Sequence, residues 1–332
     1  MSALASLIAD HVTRRFGDHL AVDDISLTLE PGKITALIGS SGSGKTTLLR
    51  LLAGMERPDS GRVLSGTTQL SAPGTFVPIE RRKIGLVFQD FALFPHLNAL
   101  ENVMFGLRHL PKADRATLAA SWLDRLGLSH RRDAYPHHLS GGEQQRTAIA
   151  RALAPEPVAI LLDEPFSGLD PTMRDQVREA ALEAVRAAQI PALLVTHDAS
   201  EALVNADQIA IIDTGRILQV GPPEDLYRKP SSLEAARALG PVHQIDCDQL
   251  PEDWKQYVEP SAKTVWYRPE ALQIADGDRF TITRTRLAGP VTELELMLDD
   301  GCPVYAACQL GTVLHAGDRV GLSLDPDLLL VF

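Results

Sequence analysis

Cysteine is scarce in this sequence, and long apolar runs are absent. The 332 residues include only three cysteines, Cys247, Cys302 and Cys308, which are too few and too widely spaced for a disulfide framework or a zinc site. We therefore expect reduced thiols in a cytoplasmic protein. The apolar runs Val158–Leu162 and Leu328–Phe332 fall far short of the ~20 residues that span a bilayer. Any role at a membrane is accordingly expected to come through a partner.

Basic residues are also fewer than acidic ones, which gives a formal net charge of −11 at pH 7. An acidic chain is a poor general binder of nucleic acid or of anionic membranes, so we expect no nucleic-acid partner. The N-terminus has no charged start followed by a long apolar segment, and we expect no signal peptide. A length of 332 residues exceeds the usual size of a single core and predicts one large domain plus a smaller one.

The stretch GSSGSGKTT, residues 39–47, is predicted to bind phosphate. It follows the apolar run Ile34–Ile38, which predicts a strand, and precedes residues 48–53, which predict a helix. Its glycines let successive amides face one anion, and the helix N-terminus adds the positive end of its dipole. Lys45 supplies charge to the outer phosphates, and Thr46 offers a hydroxyl ligand to magnesium. The stretch therefore predicts a nucleoside triphosphate site. Its members are Gly39, Ser40, Ser41, Gly42, Ser43, Gly44, Lys45, Thr46 and Thr47.

Two neighbouring carboxylates, Asp163 and Glu164, follow the apolar run Val158–Leu162, which predicts a strand covered on both faces. Adjacent residues of a strand point in opposite directions, so one carboxylate can face magnesium while the other faces an attacking water. Two acidic residues that merely enter a surface loop are the alternative.

Gln89 and His197 end two further predicted buried strands, Ile84–Phe88 and Ala192–Thr196. Ligands of open parallel sheets bind at the carboxyl ends of the strands, so both side chains are predicted to meet the carboxylates at one edge. A purely structural hydrogen bond is the alternative role for His197.

The stretch LSGGEQQR, residues 139–146, leads into a predicted helix at 147–153. Ser140 is a predicted N-cap, and Gly141 and Gly142 let an anion approach the first amides of the helix. A second phosphate-facing helix start and a simple capped helix both fit this spacing.

Phe16 lies in a turn between two predicted antiparallel strands, at Leu7–Val12 and Ile25–Leu29. Its ring is either part of the core or a platform on which a purine base stacks, and both interpretations remain open.

The composition changes at Gly240-Pro241, beyond which short β-like runs predict a small β-barrel. The turn at 299–301 predicts a hairpin, and His315 and the cysteines are interpreted as structural. The predicted strands are Thr264–Arg268, Phe280–Arg286, Val291–Leu298, Val304–Cys308, Val320–Leu324 and Leu328–Phe332.

Five motifs together make the chain resemble the ATP-binding subunit of an ABC-type importer. In chain order they are GSSGSGKTT, the glutamine in LVFQD, LSGGEQQR, AILLDEP with SGLD after it, and the histidine in VTHD. The resemblance covers residues 5–240 and implies an α/β P-loop NTPase cassette with a mixed sheet core, an antiparallel β subdomain and a helical subdomain. The element YRPEAL at 267–272 is similar to one in importers with a regulatory C-terminal barrel. The implied domains are 1–240, which binds ATP, and 241–332, a TOBE-like regulatory β domain.

The resemblance also implies a role for each motif residue. Glu164, His197, Gln89 and Lys45 would be catalytic; Thr46, Gln89 and Asp163 would hold magnesium; Phe16 would stack on adenine. The residues Ser140, Gly141 and Gly142 would bind the γ-phosphate of ATP held by another copy, and Asp170 would line that dimer seam. ATP and magnesium are thus the implied cofactors, in a homodimer with composite sites.

The implied function is ATP hydrolysis that powers import of a small solute, with ferric iron favoured and polyamine, sulfate or another small anion as alternatives. The implied partners are integral-membrane permease subunits and, indirectly, a solute-binding protein, with the chain peripheral at the cytoplasmic face of the inner membrane. A soluble regulatory or repair ATPase is the alternative from another class, and a kinase that shares only the phosphate loop is disfavoured by LSGGEQQR.

Overall fold

The computed structural model describes residues 5–108, 110–259, 262–299, 301–309, 314–330 and 332. Contacts divide the chain into two compact units, Met1–Pro223 and Glu224–Phe332. The predicted domain boundary at Gly240 stays a prediction. Within the described ranges, no helix is both long enough and apolar enough to span a membrane.

The first unit alternates strands and helices, as the sequence pattern predicts. Its elements are β1 (Leu7–Phe16), β2 (His19–Leu29), β3 (Ile34–Ile38), α1 (Lys45–Ala53), β4 (Ser60–Ser65), β5 (Thr68–Ala72), β6 (Thr75–Phe76), β7 (Ile84–Val87), α2 (Ala99–Phe105), α3 (Lys112–Arg125), α4 (Gly141–Leu153), β8 (Ala159–Asp163), α5 (Pro171–Ala187), β9 (Ala192–Val195), α6 (Ala199–Asn205), β10 (Gln208–Asp213) and β11 (Arg216–Gly221).

A six-stranded sheet in the order β11-β10-β3-β9-β8-β7 forms the centre of this unit. Strands β10, β3, β9, β8 and β7 pair in parallel, and β11 pairs antiparallel with β10, which confirms the predicted mixed sheet. All residues of β3 and β9 are buried because both faces of the sheet are covered. Val195 pairs with both Leu37 and Asp163, so the segments that follow β3, β8 and β9 emerge at the same edge.

An antiparallel sheet in the order β2-β1-β4-β5-β6 forms the predicted β subdomain, and it shares a core with α1. A second core holds the apolar faces of α2, α3, α4 and α5 against the central sheet. Helix α4 begins at Gly141, six residues before the predicted start at Thr147, because Ser140 already caps it.

Arg82 is a buried cation that joins these layers. Its guanidinium donates to the carbonyl oxygens of Leu51 and Leu52 at 3.1 and 2.9 Å and to the Ser71 hydroxyl at 2.9 Å. Gly54 ends α1 at φ 84°, where a Cβ would lie 2.2 Å from Arg82 Nε. Burial lowers the pKa of Arg82 to about 10. The arginine thus satisfies the last carbonyls of α1 from within the protein.

The second unit begins within α7 and is mostly antiparallel β-structure. Its elements are α7 (Pro223–Arg228), α8 (Leu233–Ala238), β12 (His243–Asp246), α9 (Glu252–Lys255), β13 (Thr264–Tyr267), β14 (Leu272–Ala288), β15 (Val291–Leu298), β16 (Pro303–Gln309), β17 (Arg319–Leu324) and β18 (Leu329–Leu330). Sheets β12-β13-β18 and β16-β15-β14-β17 share one apolar core, in agreement with the predicted barrel-like domain.

Strand β14 is longer than predicted, since it starts at Leu272 and pairs with β17 as well as with β15. The predicted turn at 299–301 and the predicted last strand contain Asp300 and Val331, which lie outside the described residues. Arg268 of the motif YRPEAL is fully buried in this unit, and its guanidinium lies 3.8 Å from the ring centre of Tyr227. It also donates to the carbonyl oxygens of Tyr227 and Ala236 at 3.1 and 3.3 Å.

Candidate functional site

A cavity of about 420 Å³ lies in the first unit beside the phosphate loop. It brings together the predicted loop, Phe16, Glu164 and His197, which come from four separate stretches of the chain. Its lining is Phe16, His19, Ala21, Ser41, Gly42, Gly44, Lys45, Thr46, Thr47, Glu164 and His197.

Two glycines of the loop are required by close backbone approaches. A Cβ at Gly39 would lie 2.1 Å from the Ile212 carbonyl oxygen. At Gly44, where φ is 108°, a Cβ would lie 2.4 Å from the Ala21 carbonyl oxygen. The loop therefore has no room for side chains at these points, and its backbone packs directly against the neighbouring strands.

Lys45 is the first residue of α1, and its side chain folds back into the loop. Its Nζ donates to the carbonyl oxygens of Gly39 and Ser40 at 2.7 and 2.8 Å, and the residue is only 8% exposed. Burial lowers the pKa of Lys45, although Glu164 and Asp163 act to raise it. A partly desolvated ammonium group at a helix N-terminus is suited to binding an anion.

Ser43 supports the same conclusion, because its buried hydroxyl has no hydrogen-bond partner among the described residues. Buried polar groups are normally paired, so an unpaired hydroxyl within a predicted phosphate loop is consistent with a ligand that is bound there. The neighbouring Thr46 is exposed at the start of α1.

Glu164 and His197 form a pair at the sheet edge, with 3.0 Å between Glu164 Oε2 and His197 Nδ1. The backbone of Glu164 is left-handed, with φ 44°, and its amide donates to the Val195 carbonyl oxygen at 3.0 Å. The Ser167 hydroxyl donates to the Glu164 carbonyl oxygen at 3.0 Å. Such strain in a non-glycine residue is concentrated at functional sites, where surrounding contacts hold it. The sequence predicted both residues but not their direct contact.

Asp163 is half-buried at the end of β8. Burial raises its pKa, and the negative charge of Glu164 adds to that rise, while Arg50 and Lys45 oppose it. A divalent cation would relieve this desolvated negative charge. In the described part of the chain no group of three or more His, Cys, Asp or Glu residues could hold a metal. Magnesium takes only one or two carboxylates plus substrate phosphates, so the carboxylate of Asp163 and the hydroxyl of Thr46 are donors of the kind that it binds, and a role for Gln89 beside them stays a prediction.

Gln89 follows β7 and is exposed, but it is not among the described residues that line the cavity. The next residues adopt an unusual turn, since Phe91 and Ala92 have φ of 59° and 46°. Their carbonyl oxygens accept hydrogen bonds from Arg151 at 2.9 and 2.6 Å. Arg151 lies in the last turn of α4. Sequence reasoning missed it because a basic residue near a helix C-terminus is common.

The fully buried Asn102 of α2 holds the end of the same turn. Its amide oxygen accepts from the Phe94 amide at 2.8 Å, and its amide nitrogen donates to the Leu97 carbonyl oxygen at 2.9 Å. The segment that carries Gln89 is therefore anchored on both α2 and α4.

Ser140 caps α4 as predicted. Its hydroxyl accepts from the Glu143 amide at 3.4 Å, and the Glu143 carboxylate accepts from the Ser140 amide at 2.8 Å. A Cβ at Gly142 would lie 2.8 Å from Val177 Cγ2, so this glycine packs closely on α5. None of Ser140, Gly141, Gly142 and Asp170 is among the described lining residues of the cavity. The structure thus does not bring them to the phosphate loop of their own chain.

Phe16 is the last residue of β1 and is 42% exposed, which excludes the core interpretation. The Arg14 guanidinium lies 4.6 Å from its ring centre. Sequence reasoning missed His19 and Ala21, which also line the cavity. The tight hairpin between the first two strands could have indicated His19, because Phe16 pairs with His19 across it.

Two protein-family models match the chain. The model described as ABC transporter matches residues 22–167, and the TOBE domain model matches residues 267–332. The second match lies wholly within the second compact unit.

Curated relatives align over most of the chain. The Fe(3+) ions import ATP-binding protein FbpC 1 of Rhizobium meliloti is 42% identical over 253 residues, which cover 76% of this chain and 70% of the relative. The Fe(3+) ions import ATP-binding protein FbpC of Pseudomonas fluorescens is 44% identical over 282 residues, covering 80% of this chain and 78% of the relative.

Two solved structures share the fold. One is cbiO1 from Clostridium perfringens, part of the ABC transporter complex cbiONQ, with a TM-score of 0.61 and 30% identity over 68% of this chain and 91% of that chain. The other is a dimeric post-hydrolysis ATP-binding cassette bound to ADP and Pi, with a TM-score of 0.57 and 29% identity over 65% of this chain and 98% of that chain. These likenesses confirm the predicted cassette fold.

Proposed function

Because this chain belongs to the ABC transporter family of ATP-binding proteins, we propose that it powers the import of ferric iron through a separate membrane channel. ABC ATPases bind and hydrolyse ATP, and the cavity at residues 39–47 is where this chain does so. The observation that carries the proposal is the Glu164–His197 pair, which faces the phosphate loop within one cavity. The relatives named for Fe(3+) import support the choice of cargo.

The loop residues 39–47 bind the phosphates of ATP through their backbone amides. Lys45 is held inside the loop by two carbonyl oxygens, and it reaches the outer phosphates when a stronger anionic partner replaces them. Phe16, exposed at the cavity edge, offers its ring to the adenine.

Thr46, Asp163 and Gln89 would hold magnesium. When bound, magnesium neutralises phosphate charge and orients the terminal phosphate. Glu164 polarises the attacking water and accepts its proton, and His197 steadies the Glu164 carboxylate and contacts the γ-phosphate. Phosphoryl transfer needs mainly positioning and charge, which these side chains provide.

The site is completed by a second copy of the chain. Ser140, Gly141 and Gly142 lie at a capped helix start outside the cavity of their own chain, and they bind the γ-phosphate held by the partner copy. Asp170 lines the seam beside them. A two-fold dimer provides both sites through one self-complementary contact, so ATP closes the dimer and hydrolysis releases it. The dimeric cassette among the similar structures supports this arrangement.

Closure of the dimer drives permease subunits in the membrane, and a solute-binding protein delivers the cargo to them. The chain therefore acts as a peripheral protein on the cytoplasmic face of the inner membrane. The segment that carries Gln89 transmits nucleotide state to the permease, since it is anchored on α2 and α4.

The decisive experiment reconstitutes the chain with its permease and binding protein in vesicles. ATPase stimulation is then measured with binding protein loaded with ferric iron, a polyamine or sulfate. Stimulation by the ferric form alone is expected, and stimulation by one of the others instead would reassign the cargo. A chain that does not co-purify with permease from detergent-solubilised membranes would point to a non-transport ATPase.

A further inference from the structure

A second cavity, of about 110 Å³, lies behind the Glu164–His197 pair. Both residues line it as well as the larger cavity, so they form the shared wall between the two. Its remaining lining includes Arg174 and Arg178 of α5 and Glu201 of α6, all charged residues that the proposed chemistry does not use.

Glu201 is buried, with only 6% of its surface exposed, and its two carboxylate oxygens have different surroundings. Oε2 accepts a hydrogen bond from the Thr196 hydroxyl. Oε1 has no hydrogen-bond partner among the described residues. A buried carboxylate oxygen is costly to leave unpaired, so its retention points to a role beyond local packing.

Thr196 connects Glu201 to the backbone around His197. While its hydroxyl donates to Glu201, the same oxygen accepts from the Asp198 amide at 3.0 Å. The two neighbours of His197 are therefore hydrogen-bonded to each other, and one of them, Thr196, is also bonded to the buried carboxylate. Asp198 adds a further anchor, because its side chain caps α6 by accepting from the amides of Ser200 and Glu201 at 2.9 and 3.2 Å.

The other wall of the cavity belongs to α5 and to the segment before it. Arg174 donates to the Leu169 carbonyl oxygen at 3.1 Å, and its buried Nε has no partner among the described residues. Arg174 and Arg178 are both close enough to Glu201 to stabilise its negative charge. Arg174 thus connects two parts of the cavity wall, because its guanidinium is hydrogen-bonded to Leu169 and its charge acts on the Glu201 carboxylate.

We propose that Glu201 is a positioning residue that sets the orientation of His197 toward Glu164 through Thr196, and that it ties this histidine to the segment 166–170 through Arg174. The inference rests on the proposed ATPase mechanism and deepens it. By the same mechanism, segment 166–170 lies at the seam with the partner copy. Through this link, closing or opening of the contact with the partner copy affects the orientation of His197 at the ATP site of the same chain.

The test compares Glu201→Ala with Glu201→Gln in the full-length chain reconstituted with its permease. Alanine removes the oxygen that accepts from Thr196, whereas glutamine keeps an oxygen there and removes only the charge. Glu201→Ala is expected to lower kcat about 10- to 100-fold with the KM for ATP nearly unchanged, as misplacement of a catalytic group does. Glu201→Gln is expected to recover most of that loss. Glu179→Ala, at an exposed glutamate of α5, is the matched control and leaves both constants unchanged.

A second pair keeps the proposal testable where Glu201→Ala does not fold. Thr196→Val removes the hydroxyl at nearly constant volume, and Thr196→Ser retains it. Thr196→Val is expected to reproduce the loss of kcat, Thr196→Ser to restore it, and the double variant with Glu201→Ala to lose no more than either single variant. A full kcat in Thr196→Val, a KM that rises as kcat falls, or additive losses would overturn the proposal. Absence of turnover in the wild-type complex would instead refute the proposed function.

Discussion

The two compact units bury positive charge in different ways. In the first unit Arg82 is surrounded by hydrogen-bond acceptors, including the last carbonyl oxygens of α1, at 2.9–3.1 Å. In the second unit Arg268 donates to two carbonyl oxygens and lies over the Tyr227 ring, while its Nη1 has no partner among the described residues. Burial lowers the pKa of both arginines. Both guanidinium groups lie over a ring, but Arg82 is 5.2 Å from the Phe76 ring centre, whereas Arg268 is only 3.8 Å from that of Tyr227, so the aromatic contact contributes more in the second unit.

The first unit also buries charge that no structural partner fully satisfies. Lys45, Asp163 and Glu164 converge beside one cavity, where burial lowers the pKa of the lysine and raises that of Asp163. Surface ion pairs occur in both units, such as Arg62 with Asp10 at 2.6 Å in the first and Arg319 with Asp299 at 3.0 Å in the second. Partly desolvated charges that converge from separate segments beside one cavity are candidates for chemistry, whereas a single buried arginine held by carbonyl oxygens and a ring is structural.

The largest expected effect concerns Glu164. Glu164→Gln is expected to retain ATP binding, to lower steady-state hydrolysis by about 10²- to 10⁴-fold, and to trap the ATP-bound dimer, because the base is lost. Turnover assays and size-exclusion chromatography with ATP measure both effects. The control is Glu156→Gln, since Glu156 is an exposed glutamate that is also left-handed, with φ 53°. Undiminished turnover by a homogeneous Glu164→Gln sample would contradict the assignment.

The composite site predicts the next effect. Ser140→Arg is expected to leave ATP binding by each chain intact and to lower hydrolysis about 100-fold or more, since a bulky cation blocks the helix start that faces the partner's ATP. Equilibrium dialysis and turnover assays separate the two. Ser129→Arg, at another exposed serine, serves as the control. Full-rate hydrolysis by a demonstrably monomeric form would rule out the composite site.

Replacing each buried arginine by alanine tests whether the two units differ in how much stability the buried charge contributes. Arg82→Ala is expected to cost about 2–3 kcal/mol, because it leaves several buried carbonyl oxygens unpaired, and Arg268→Ala about 1–2 kcal/mol. Native-state hydrogen exchange should place the first loss in the first unit and the second loss in the second unit. The controls are Arg81→Ala and Arg286→Ala, at an exposed arginine of each unit. Equal losses from both buried arginines would mean that the difference in their partners is energetically unimportant.

The smallest expected effect is a gain in stability, in contrast to the losses above, and it concerns Asp163. Burial raises the pKa of Asp163 in the folded state above its ordinary value, so ionisation of this carboxyl destabilises the folded chain, and the full cost is present once the pH exceeds the raised pKa. Asp163→Asn is expected to raise Tm at pH 7 by about 1–2 °C without ligand, and to lose this gain as the pH falls through the folded-state pKa toward the lower pKa of the unfolded chain. Magnesium-dependent stabilisation by ATP should be lost in the same variant. Thermal scans at several pH values measure both, and a lower Tm at pH 7 would contradict the assigned cost.

Much of the first unit follows from local pattern. The runs Ile34–Ile38 and Ala192–Val195 are continuously apolar because both sheet faces are covered, and that pattern is legible in the chain. The N-cap at Ser140 was predictable for the same local reason. The full length of strand β14 was harder to predict. Apolar and polar residues do not alternate regularly over residues 272–279, which form a strand by pairing with β17.

The sequence by itself determined which chemistry the protein can perform, because a phosphate loop, a capped helix start and strand-end polar residues have fixed local spacing. Only the tertiary structure decided which of them meet. It placed His197 3.0 Å from Glu164 and left Gln89 and Ser140 outside the cavity lining of the described chain. It also buried Glu201 behind the Glu164–His197 pair, where its carboxylate accepts a hydrogen bond from the Thr196 hydroxyl. Contacts between distant segments depend on how strands and helices pack, and the spacing of residues along one sequence does not predict that packing.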